Sequence, residues 1–169
     1  LEQLGYVIGS EVRDRGMHRY WNTWQFKHPN VNDFVRVMEK ESGLELDWYK
    51  EYFVNSTKTI DYGVKEVKAS SIGTEITLER IGLMPMPIDL VVTYKDGSKE
   101  MVYLPLVIMR GEKSEEAGMA KRVMTEAWPW TNPTKTILLT RPFAEVKSVE
   151  IDPSKRLADL QPENNKVEL

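Results

Sequence analysis

The chain has no cysteine among its 169 residues. That absence removes disulfide staples, thiolate zinc sites and cysteine nucleophiles together. It leaves a cytoplasmic and an exported (periplasmic) location equally open. Histidine is nearly as scarce, with only His18 and His28. Ten positions apart, and with Pro29 directly after the second, they do not make the His-Glu-x-x-His pair that sets two imidazoles on one helix face. A Gly-x-Ser-x-Gly nucleophile elbow, a phosphate loop and a dinucleotide glycine fingerprint are also missing. No apolar run reaches about 18 residues, so no membrane span is expected. Neither charge dominates: 23 Lys and Arg stand against 26 Asp and Glu, net −3, with the signs interspersed. A nucleic-acid surface needs a basic stripe, and the sequence has none. The opening LEQLGYVIGSEV lacks the basic segment and small-residue cleavage site of a secretory leader. With no initiator Met and a helical pattern from the outset, Leu1 reads as a position inside a longer protein.

What the chain does have is aromatic core material, with five Trp, seven Tyr and four Phe. Up to about Ser56 the periodicity is helical. Ser10 is the expected N-cap of a helix from Glu11 to about Gln25, with Met17, Tyr20, Trp21 and Trp24 on one apolar face. Pro29 ends that run. Asn30 is placed to cap the next helix, with Asp33 in its first turn and Val31, Phe34, Val35 and Met38 repeating the spacing. Gly43 closes it in a left-handed conformation. A third helix is expected around Asp47 to Phe53, presenting Trp48, Tyr49, Tyr52 and Phe53.

After NSTKT the period changes to two. TIDYGVKEVKAS and TEITLERI alternate, and IDLVVTYKDGSKEMVYLPLVI holds two β-rich runs around Asp96-Gly97, a strong hairpin signal. KTILLT and VKSVEI supply two further strands. RGEKSEEAGMAKRVMTEAWPWTNPT is expected to be a polar connection, and QPENNKVEL a loosely ordered tail. Short strands punctuated by Gly, Pro and Asp-Gly point to an antiparallel β-sandwich. The fold class is therefore α+β in two parts, residues 1–56 helical and residues 57–169 sheet.

Candidate chemistry is thin. His28 sits between two helices, where it is expected to serve an exposed helix-end carbonyl, and His18 is expected to be solvated. Glu39, Glu41, Glu45 and Asp47 flank helix ends, the ordinary place for solvated carboxylates. Trp128 and Trp130, around a proline in AWPWTNP, make either a platform for a glycan or peptide or anchors of a core. No catalytic constellation emerges, and this chain alone is not expected to be an enzyme.

The stretch GMHRYWNTWQFKHPNVNDFVRVMEKESGLELDWYKEYF resembles the aminopeptidase N-like zinc metallopeptidases, the gluzincins of the first family in their clan. The series is an aromatic helix with Tyr20, Trp21, Trp24 and Phe26, then His28-Pro29, Asp33-Phe34, and Glu39, Ser42, Gly43, Leu46 and Trp48. PMPIDLVVTYKDGS resembles the central hairpin of the small β-sandwich that follows the catalytic domain in that family. VEIDPSKRLADLQPENN resembles the Asp-Pro…Asp…Asn-Asn ending of members that stop after it. The family's Gly-x-Met-Glu-Asn strand, His-Glu-x-x-His helix, downstream zinc-binding Glu and catalytic Tyr have no counterpart here. No catalytic or metal residue is therefore carried over, and no cofactor is expected in this chain. The resemblance implies the last helices of a thermolysin-like catalytic domain, followed by the sandwich. It also implies a parent zinc aminopeptidase acting on peptides, with the remainder of its own catalytic domain as partner. The alternative is a non-catalytic sandwich module that binds a glycan or peptide, or a scaffold whose parent has lost its zinc site.

Overall fold

A computed structural model describes residues 1–116 and 121–169. The described residues form a mixed α+β structure, with the helices first and two sheets after them. Helix α1 spans Glu2–Ile8 and α2 spans Ser10–Trp24. Gly9 alone separates them, at φ 92, and it takes the cap position expected of Ser10. The Ser10 side chain is engaged elsewhere: its hydroxyl accepts from Arg156 at 2.9 Å. Its amide donates to Glu116 Oε1, also at 2.9 Å.

Helix α3, Val31–Ser42, begins as its sequence predicts. Asn30 Oδ1 accepts from the amides of Asn32 (2.8 Å) and Asp33 (3.3 Å), and the Asp33 carboxylate accepts from the Asn30 amide at 2.9 Å. These reciprocal bonds satisfy donors that a helix start leaves open. Gly43, at φ 70, closes the helix. Helix α4, Asp47–Tyr49, runs on through a π-helical turn at Lys50–Val54.

The strands are β1 (Tyr62–Ser70), β2 (Gly73–Arg80), β3 (Ile88–Tyr94), β4 (Lys99–Leu104), β5 (Arg122–Met124), β6 (Thr134–Leu139), β7 (Val146–Ile151) and β8 (Lys166–Glu168). One sheet has the order β1-β2-β6 and the other β5-β4-β3-β7-β8. All pairings are antiparallel except β5 with β4. The β3–β4 hairpin turns at Asp96-Gly97, where Asp96 Oδ1 accepts from the Ser98 amide at 2.8 Å. Gly73 is required where it stands: a Cβ there would lie 2.1 Å from the Leu139 carbonyl oxygen.

Two expectations are corrected. The polar connection contains β5, which is parallel to β4; residues 117–120 of that connection lie outside the described residues. The tail is not loose, since β8 pairs with β7 and Asn165 before it is buried. Strand pairing needs only backbone groups, so a polar tail meets the requirement as well as an apolar one.

Alternate residues of both sheets turn inward. Ile76 and Leu78 of β2, Ile137 and Leu139 of β6, and Leu90 and Val92 of β3 are all buried in one apolar cluster. The same cluster takes in Leu4, Tyr6 and Ile8 of α1, Met38 of α3, and Leu46 and Trp48. The helical and sheet segments thus share one core.

Candidate functional site

The stretch from α2 to α4 carries most of the residues singled out in the sequence, and the structure gives many of them a local task. Glu39 Oε1 accepts from the Leu46 amide at 2.9 Å, Ser42 Oγ accepts from the Leu44 amide at 3.2 Å, and Trp48 Nε1 donates to the Glu45 carbonyl at 2.9 Å. With Gly43 left-handed between them, these side chains fix the turn from α3 into α4. Leu46 and Trp48 are then buried beneath it. Asp33 belongs to the cap of α3. Phe34 meets Tyr20 of α2 edge-on, with ring centroids 5.2 Å apart.

The apolar face expected on α2 is only partly covered. Val12 and Gly16 are the buried residues of that helix. A Cβ at Gly16 would lie 2.5 Å from Met38 Sδ, so α2 touches α3 through a glycine. Met17, Tyr20 and Trp24 are half-buried, whereas Trp21 is 64% exposed and Phe26 98% exposed. Phe26 also sits at φ 62, a region that costs a non-glycine residue about 1–2 kcal/mol. Half-buried Pro29 follows, and Val31 is exposed in turn. The α2–α3 turn therefore leaves several apolar side chains bare. His28 is exposed there, and the helix-end carbonyl of Thr23 accepts instead from Lys27 Nζ at 2.7 Å. His18 lies beside Asp14, Met17 and Trp21 in a shallow depression.

The two tryptophans of AWPWTNP part company. Trp128 is buried, edge-on to Tyr62 at 5.5 Å, with its Nε1 donating to the Asn132 carbonyl at 3.0 Å. Trp130 is partly exposed, edge-on to Tyr52 at 6.2 Å, and Lys58 Nζ lies 4.5 Å from the Tyr52 ring. A platform built from both indoles is not what the fold presents.

A polar junction between α1 and the five-stranded sheet went unread in the sequence, because nothing marks a lysine as buried. Lys113, 1% exposed, places Nζ 2.5 Å from Asp89 Oδ2 and 3.2 Å from the Tyr6 carbonyl oxygen. The same ammonium lies 4.6 Å from the centre of the Tyr6 ring. Burial first, then the nearby charges of Asp89 and Asp152, push the Tyr6 phenol well above its ordinary pKa. Around this pair Arg156 meets Glu116 at 2.7 Å. Gln3 donates to the Arg156 carbonyl and accepts from the Ala158 amide. The charges at the centre are enclosed, so the cluster clasps α1 to the sheet and offers no face to a substrate.

Among the described residues no group of three or more His, Asp or Glu is arranged to hold a metal ion, and no helix is long and apolar enough to cross a membrane. No protein-family model matches the chain, and no curated protein matches it significantly.

Proposed function

We propose that this chain is a structural portion of a zinc-dependent aminopeptidase. Residues 1–56 would be the closing helices of its thermolysin-like catalytic domain, and residues 57–169 a β-sandwich bracing that domain. Its partner is the remainder of the catalytic domain, and peptides are the substrate of the parent protein. The described residues of this chain do not fit a zinc ion: both histidines are exposed and no carboxylate cluster joins them. The zinc chemistry belongs to groups outside the chain.

The observation that carries the reading is the exposure of Trp21, Phe26 and Val31, in the very stretch whose motif series resembles the family. Apolar side chains left bare in this way are what a covering body would bury. The strained φ of Phe26 fits such a contact, since strain persists where surrounding structure holds it. The shared core of the two sheets supports the sandwich.

The test is to read the coding sequence upstream of Leu1. A His-Glu-x-x-His helix, followed by a second helix with a zinc-binding Glu, sustains the proposal. A start codon close by, or an upstream domain without those ligands, overturns it.

A further inference from the structure

The strands at the margins of the two sheets are not equally protected. β5 and β8 are three residues long, and β1 is interrupted by a register shift between Val64 and Glu66. Short or bulged edges resist the approach of another strand. β6 runs six residues without a register shift or an internal proline, and among the described residues it pairs with β2 alone. Arg80 donates its amide to the Pro133 carbonyl at 2.8 Å. Hydrogen-bonded pairs alternate along an antiparallel ladder, so Lys135, Ile137 and Leu139 turn their backbone groups to β2. Thr134, Thr136, Leu138 and Thr140 turn theirs to the open side.

That open side is also the gap between the two sheets. A groove of about 550 Å³ runs there between the free margins of β6 and β5. Val123, Met124 and Leu138 on its walls are 50%, 43% and 52% exposed. Its two ends carry opposite charges. Lys135 shares the inner face of β6 with buried Ile137 and Leu139. Glu100 is on the inner face of β4, opposite buried Val92. Lys135 meets Glu126, just past β5, at 3.7 Å. Glu100 lies at the other end, beside the Asp96 hairpin that Arg141, just past β6, reaches at 3.0 Å. An inward lysine guards an edge against strands in general. It admits a strand that brings a carboxylate to the same place.

We propose that this side docks a second copy of the chain, with β6 antiparallel to its counterpart about a two-fold axis. A strand edge is complementary to itself in that arrangement, and a two-fold closes the contact at two copies. With the axis at Ile137, Thr136 exchanges backbone bonds with Leu138 of the second copy, and Thr134 with Thr140. Each copy's Lys135 then reaches the Glu100 end of the other, so the opposite charges meet twice. An axis at Leu138 would instead set Lys135 against Arg141, two like charges. The same axis lays the Val123 and Met124 margins of the two copies side by side. The inference does not rest on the aminopeptidase reading, because the surface comes entirely from β4, β5, β6 and the residues just after them.

One strand edge is a small interface, so a dissociation constant on the order of 100 µM is expected. Sedimentation equilibrium of the full chain, from about 10 µM to 1 mM, should show monomer and dimer in exchange. Leu138→Pro removes an amide that points away from β2, so the strand survives while dimerisation weakens about tenfold or more. Lys135→Glu and Glu100→Lys alone should each weaken dimerisation about tenfold. An equimolar mixture of the two should restore it, because each contact then joins opposite charges. Trp21→Ser, in the helical part, should leave it unchanged. If Leu138→Pro fails to fold by circular dichroism, the mixture of charge variants decides alone. A monomer throughout, association that runs past the dimer, a dimer that survives in folded Leu138→Pro or is lost in Trp21→Ser, or a mixture no tighter than its components would overturn the proposal.

Discussion

Trp128 and Trp21 carry the same indole into opposite settings. Around Trp128 and the Lys113–Asp89 pair, rings and charges alike are enclosed, and Tyr62 and Asp89 come to them from distant parts of the chain. Around Trp21 and Phe26 the rings stand in solvent. The difference lies in what holds each region. The α2–α3 turn is set by neighbours in sequence: the Asn30–Asp33 cap, the Lys27 bond to Thr23, and Gly43 at the far end of α3. The junction at Tyr6 is set by residues that folding must bring together. Local capping can thus hold a turn in place while its apolar side chains stay unburied.

The sharpest way to break that contrast is at Lys113. Replacing it with Met leaves the Asp89 carboxylate buried and unpaired, at a cost of about 3–5 kcal/mol in urea unfolding. Adding Asp89→Leu should recover much of the loss; no recovery would mean the charges are not what the site depends on. Next is the tryptophan pair. Trp128→Ala should cost about 3–5 kcal/mol, while Trp21→Ala stays within about 0.5 kcal/mol. Equal losses would erase the distinction between the two regions.

Acid probes the clasp with a smaller effect. Burial pulls the Glu116 carboxyl up, but hydrogen bonds from Arg156 and the Ser10 amide prevail and hold its pKa below the ordinary 4.5. Stability from this pair is therefore fully present above pH 4.5 and is lost as pH falls through the lowered value. Melting temperatures of the wild type and Glu116→Gln, measured from neutral pH downward, should converge on acidification. At the α2–α3 turn, Asn30→Ala should cost about 1 kcal/mol through the lost cap. Phe26→Gly should gain somewhat less than about 1 kcal/mol, because relief of the left-handed strain exceeds the backbone entropy of glycine. A loss there would show that the exposed ring makes contacts of its own.

The features legible in the sequence are the locally determined ones. Asn30, Gly43 and Asp96-Gly97 act where their chemistry says they should, because each works within a few residues of itself. Ser10 does not cap α2 because Gly9, with its positive φ, ends one helix and starts the next, leaving the serine hydroxyl for Arg156. The apolar face of α2 stays partly bare because contact with α3 runs through Gly16, which hydrophobic spacing does not mark. Lys113 and β8 gave no signal, since their burial or pairing is decided by the rest of the fold and not by their own polarity.

The clasp on α1 also sets an order of events. Gln3 is held by Arg156 and Ala158, which lie more than 150 residues later in the chain. During synthesis at about 5–20 residues per second, α1 would wait on the order of ten to thirty seconds for those partners to be made. Through that interval Gln3 has neither of these partners. Within this chain α1 is the first helix to be made, and the contacts that clasp it are among the last to form.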